Sequence, residues 1–168
     1  RRALEADRTN ADANHFYGVL HHQRGKSEIA IRFIRLALQA DPKYVPARIN
    51  LGNVYKELER YDEAAAEYRK ALAINPNAGE ALNNLGTLLR LEKRYDEAID
   101  AFQRSISIAP RNADTLQNLG NALRAAERFD EALTAYRKAI EIDPVHTDAH
   151  LNLGRALYSF GRVDEATI

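Results

Sequence analysis

The sequence predicts an all-α protein built from repeated antiparallel helix pairs, and three periodicities predict it. Gly18, Gly52, Gly86, Gly120 and Gly154 stand 34 residues apart. Pro42, Pro76, Pro110 and Pro144 keep the same step, as do Ala30, Ala64, Ala98, Ala132 and Ala166. Three residue types locked to one period, with no insertion, mark a repeat architecture.

Each period reads as two helices. Leu82, Leu85, Leu88 and Leu89 recur at three- and four-residue steps, which places them on one stripe of a first helix. A short polar turn follows, such as Glu92-Lys93-Arg94. Ala98, Ile99, Phe102, Ile106 and Ala109 then give the stripe of a second helix. Asp-Glu pairs open these second helices at Asp62-Glu63, Asp96-Glu97, Asp130-Glu131 and Asp164-Glu165. Acids in a first turn complement the helix dipole. The prolines come after the second helix, where a fixed φ and a missing N–H stop it. A glycine inside a helix costs about 1 kcal/mol against alanine, so its recurrence implies a close approach between helices. The repeated alanine of the second helix is the expected counterpart. Tyr55 with Tyr68, Leu89 with Phe102, and Leu123 with Tyr136 are expected to fill the space around it.

Leu51-Gly52-x-x-Tyr55, followed by Ala64, Tyr68, Ala71 and Pro76, resembles the tetratricopeptide repeat (TPR), and the match runs through the whole chain. Complete units span 11–44, 45–78, 79–112 and 113–146, and a partial one spans 147–168. Residues 1–10 read as the tail of an earlier unit, with Ala3 at a repeated alanine position and Arg8 in place of proline. The first full unit departs from the pattern at His21 and Ile34, and looser packing is expected there. The resemblance implies one right-handed superhelical solenoid over 1–168, with a concave groove lined by the first helices. Both ends fall inside a unit, so the chain reads as a piece of a longer protein. Ends cut in this way lack the polar caps of a solenoid, which predicts weak self-association through them.

Composition narrows the function. Lys plus Arg is 24 and Asp plus Glu is 24, a balance without the long-range field that attracts nucleic acid or an anionic membrane. Cysteine is absent, which removes disulfides, thiolate metal sites and thiol nucleophiles. No stretch approaches 18 apolar residues, so no membrane span is expected. The expected location is the cytoplasm. His146 and His150 have ligand-like spacing, but the turn after Pro144 breaks the helical register between them and no third ligand is obvious. His21-His22 splits between core and groove. No metal, cofactor or catalytic residue is expected. The Asp-Glu pairs recur at every second helix, which one active site would not require.

The resemblance directs the second, fifth, sixth, ninth and twelfth positions of each unit to the groove. The sixth is Asn50, Asn84, Asn118 and Asn152, with Phe16 in the first unit. Asparagine is a poor residue for a helix interior, so a row in register needs a reason. Its carboxamide offers a donor and an acceptor together, enough to pair with both polar groups of an extended peptide bond. Packed helices lie about 8–10 Å apart and an extended chain rises about 3.3 Å per residue. One asparagine per unit would therefore meet roughly every third ligand residue. Asn53, Thr87 and Asn121 at the ninth position, and Asn83 and Gln117 at the fifth, extend the polar strip. Lys56, Arg90 and Arg124 at the twelfth form a basic stripe, although cations near a helix end also suit the dipole. A structural role for the asparagines, bonding neighbouring helices, is the competing reading.

The family's clamp for a chaperone C-terminal carboxylate needs a lysine at the fifth position, with basic residues at the second and sixth. Neither the second nor the sixth position carries Lys or Arg here, so that ligand is not expected. The asparagine row is similar to that of the repeat region of O-linked N-acetylglucosamine transferase-like proteins. The sequence thus points to a non-enzymatic scaffold that binds an extended polypeptide in its groove. The alternatives are a substrate-recognition arm of a larger glycosyltransferase- or sulfotransferase-like enzyme, or a self-assembly module.

Overall fold

The computed structural model describes residues 10–160. Nine helices lie among them: α1 (Ala11–Gln23), α2 (Ser27–Ala40), α3 (Val45–Glu57), α4 (Tyr61–Ile74), α5 (Gly79–Leu91), α6 (Tyr95–Ile108), α7 (Ala113–Ala125), α8 (Phe129–Ile142) and α9 (Thr147–Ser159). They pack as sequential antiparallel pairs, an all-α TPR array. The chain divides into two compact units, the first ending at Ala81 and the second starting at Leu82.

The turn inside each pair is one repeated device. Gly25 closes α1 with φ 70°, and Glu59, Lys93 and Glu127 take the same left-handed conformation at 58°, 63° and 61°. Their N–H groups, and those of the residues after them, return to carbonyls of the last helical turn: Glu59 N to Lys56 O at 3.0 Å and Arg60 N to Tyr55 O at 2.9 Å. This satisfies carbonyls that the helix end would otherwise leave without partners. The second helix starts with no side-chain cap at Arg60, Arg94 or Arg128. Each of these arginines instead grips the glutamate three residues on, Arg94 holding Glu97 at 2.7 and 2.6 Å and Arg128 holding Glu131 at 2.7 Å through both contacts. Arg60 and Glu63 pair in the same way. Asp62-Glu63, Asp96-Glu97 and Asp130-Glu131 therefore lie in the first helical turn, as expected, and the glutamate of each is also the arginine's partner; Asp164-Glu165 lies outside the described residues.

In the first unit, Ile34, Val54 and Tyr68 are fully buried, with Ala30, Ala47 and Ala64 between them. In the second, Leu89, Phe102, Leu123, Tyr136 and Leu157 form one core cluster with the small residues Ala98, Ala122 and Ala132. Glycine does mark the close approach, and the nearest side chain over it is a bulky one. A methyl group at Gly52 would meet the Tyr68 ring at 2.5 Å, at Gly86 the Phe102 ring at 2.9 Å, and at Gly120 the Tyr136 ring at 2.5 Å. The residue sixteen places later lays its side chain over the bare backbone. In the departing first unit Ile34 does this at Gly18, with the carbonyl oxygen of the repeated Ala30 also close, at 3.2 Å. His21 there stacks on Phe33 at 5.5 Å. Ala109 is the C-cap of α6 and exposed, outside the stripe assigned to it.

Candidate functional site

The groove residues stand on the first helices, and the structure gives several of them partners inside the chain. In the first unit, Asn50 Nδ2 lies 2.7 Å from His15 Nε2. The amide must donate, so the ring nitrogen must be free of a proton. Burial pushes the His15 pKa down, against the nearby charge of Asp12, and keeps that nitrogen an acceptor. The His15 ring also meets Tyr44 edge-on at 5.0 Å. Phe16, at the sixth position of its unit, is 65% exposed.

Asn53 bridges two groups. Its Oδ1 accepts from the Tyr68 hydroxyl at 2.7 Å, and its Nδ2 donates to Glu80 Oε1 at 3.2 Å. Burial, with Glu80 and Glu57 nearby, raises the Tyr68 pKa well above the ordinary phenol value, so the hydroxyl stays a donor. Lys56 is half-buried, and burial lowers its pKa despite the opposing influence of Glu57 and Glu80.

In the second unit, Asn118 Nδ2 donates to Asn83 Oδ1 at 3.2 Å. This repeats the Asn50–His15 arrangement: the sixth-position amide bonds the fifth-position side chain of the preceding repeat. Asn84 is buried at 8% exposure, whereas Gln117, Asn118 and Asn152 are half-buried. Thr87 donates its hydroxyl to the Asn83 carbonyl at 3.0 Å. Asn121 Oδ1 accepts from the Tyr136 hydroxyl at 2.8 Å. The Arg124 cation beside that hydroxyl offsets part of the upward push of burial on its pKa. Arg90 is half-buried and Arg124 exposed.

Asn53 and Asn121 thus complete buried tyrosines, a role that sequence reasoning missed. A signal was present. Asparagine precedes tyrosine by fifteen residues at Asn53/Tyr68 and Asn121/Tyr136, whereas Thr87 precedes Phe102 and Val19 precedes Ile34. An amide stands at this position where the later residue carries a hydroxyl, and none where it does not.

His146 caps α9, accepting from Ala149 N at 3.3 Å while its Nε2 meets Asp114 at 3.1 Å, and His150 Nε2 lies 2.9 Å from the Pro144 carbonyl. The two rings serve separate contacts. Among the described residues no cluster of three His, Asp or Glu could hold a metal, and no helix is long and apolar enough to cross a membrane.

Helix pairs of this register, with first helices presenting carboxamides and cations, define a repeat module for protein interaction. Tetratricopeptide repeat models match residues 11–44, 45–111, 77–144 and 123–167, and the chain belongs to that family. Among solved structures it is similar to a crystal structure of MamA, at 30% identity and TM-score 0.81, covering 89% of this chain and 87% of that one. It is similar to YrrB, described as a TPR protein with an unusual peptide-binding site, at 27% identity and TM-score 0.80, covering 99% and 86%. MamA residues 41 to the end from Desulfovibrio magneticus RS-1 share the fold at TM-score 0.86 and 23% identity, covering 95% and 89%. No curated protein matches.

Proposed function

We propose that the first helices bind an extended polypeptide through their carboxamides, with Asn84 and Asn118 as the central contacts of the second unit. The observation that carries this reading is the Asn118–Asn83 bond. It uses one amide hydrogen of Asn118 and leaves that side chain's carbonyl oxygen for a ligand N–H. Asn83, Gln117 and Asn152 add polar groups on the same helix positions, and Arg90 and Arg124 suit acidic ligand side chains. The peptide-binding site named for YrrB supports the class of ligand. The test begins with extended peptides selected against the chain by display. The best of them is then titrated into wild type and into the Asn84→Ala, Asn118→Ala double variant. Loss of two backbone-pairing amides should weaken binding at least about tenfold while helicity holds. Equal affinity in a fully helical variant would make the asparagines purely structural.

A second reading, self-association, is favoured by α9. Leu151 and Tyr158 on the same helix are 48% and 76% exposed. Light scattering across concentration tests this reading, and a strict monomer at millimolar chain removes it.

A further inference from the structure

Positions 68 residues apart in sequence occupy the same place in the two units, yet one place is filled and the other is hollow. Among α2, α3 and α4, the Tyr55 ring fills the space between the second helices and is 3% exposed. Arg35 donates to its hydroxyl at 2.6 Å, and the Arg60 guanidinium lies 4.6 Å from its ring centre. Arg48 and Glu67 close the same junction with a 3.0 Å ion pair. Among α6, α7 and α8 the matching residues are Leu123 for Tyr55, Gln103 for Arg35, Leu116 for Arg48 and Ala135 for Glu67. The shorter side chains leave a cavity of about 390 Å³, floored by Leu116, Leu119 and Leu123 and edged by Gln103, Asp130, Glu131 and Lys138. That volume lies within the range of roughly 300–1,000 Å³ typical of ligand pockets.

We propose that this cavity is a polypeptide-docking site that takes an aromatic side chain flanked by arginine or lysine. The first unit holds an internal copy of the occupant: a tyrosine ring with a guanidinium on its hydroxyl. Arg128 stands where Arg60 covers that ring, and its grip on Glu131 at 2.7 Å holds it at the cavity edge. Charge supplies the second argument. Glu63 feels both Arg60 and Arg35, whereas Glu131 feels Arg128, with neutral Gln103 in place of the other cation. Lys138 at the edge matches Lys70 and is common to both units, so an incoming arginine or lysine puts back only the charge that Arg35 supplies in the first unit. This site lies on the second-helix side and is independent of the carboxamide reading.

The test adds acetyl-Tyr-Arg-amide to the full chain with labelled leucine methyls. Shifts of the Leu116, Leu119 and Leu123 methyls are expected, with acetyl-Tyr-Glu-amide binding about threefold more weakly, the size an exposed ion pair supports. The Gln103→Arg, Leu123→Tyr variant rebuilds the first unit's filling and should weaken the dipeptide at least about tenfold. Ala135→Leu, which plugs the cavity by volume alone, should do the same if the double variant fails to fold. Unmoved methyls, equal affinity for the two dipeptides, or undiminished binding in a folded filled variant would overturn the proposal. Free tyramine binding as tightly as the dipeptide would assign the cavity to a small molecule and overturn it equally.

Discussion

The α2–α3–α4 junction of the first unit and the α6–α7–α8 junction of the second share a backbone register and differ in how they are closed. The first is closed by polar groups that must all be partnered. Arg48 lies against Glu67 and donates to the Pro42 carbonyl at 2.6 Å, Lys70 reaches Glu67 at 2.6 Å, and Tyr55 is held by two arginines. The second is closed by leucine and alanine, which need no partners and leave a hollow. One repeat pattern thus tolerates two opposite solutions, because the backbone contacts that fix a helix pair lie elsewhere, at the glycine and the aromatic ring over it.

The largest way to break the comparison is to remove half of the ion pair. Glu67→Ala leaves Arg48, with a side chain only 16% exposed, without its counter-charge and with the Pro42 carbonyl as its remaining partner. The expected loss is about 3 kcal/mol, read by urea denaturation and by hydrogen exchange confined to α3 and α4. Arg48→Leu combined with Glu67→Ala installs the second unit's residues and should recover most of that loss, since apolar replacement of a whole buried pair is often neutral.

The glycine contact should be common to both units. Gly120→Ala drives a methyl into the Tyr136 ring and Gly52→Ala into the Tyr68 ring. Each should cost about 2 kcal/mol by overpacking, measured as the denaturation midpoint. A much smaller cost at one site would show that its unit can shift helices where the other cannot.

Tyr136→Phe removes the hydroxyl that Asn121 accepts from and should cost about 1 kcal/mol. Adding Asn121→Thr copies the native Thr87/Phe102 pairing and should return part of it, a coupling that a double-mutant cycle measures. Glu127→Gly relieves a left-handed side chain and should stabilise by about 1 kcal/mol, matching the native choice at Gly25.

The smallest effect is a pH dependence confined to the first unit. His15 has a lowered pKa when folded, so the unfolded chain takes up its proton first. Stability from this group is complete above the unfolded value of about 6.5 and declines as pH falls from there towards the folded value. Protonation also removes the acceptor for Asn50. Exchange protection of α1 and α3 should fall on acidification, and His15→Asn should flatten that fall.

The carboxamide strip was only partly legible in the sequence. A row of Asn50, Asn84, Asn118 and Asn152 announces that something polar recurs on one helix face. It does not say that Asn50 would meet His15, or that Asn118 would meet Asn83, because those partners stand 35 residues away on a neighbouring first helix. Asn53 and Asn121 look identical to groove residues until the tyrosine hydroxyls are placed beside them.

The sequence by itself determined the helix pairs, their turns and the family. These depend on spacings within one unit: a stripe at three- and four-residue steps, a proline after each second helix, a glycine where a ring must lie flat. The tertiary structure alone decided what covers each glycine, which asparagines are taken up inside the chain, and that one junction is filled while its counterpart is hollow. The reason is physical: a local period fixes the direction of a side chain, but the space it enters is set by residues from other helices. Tyr55 and Leu123 occupy the same position of the repeat, and that space is closed where Arg35, Arg48 and Glu67 surround it and open where Gln103, Leu116 and Ala135 do.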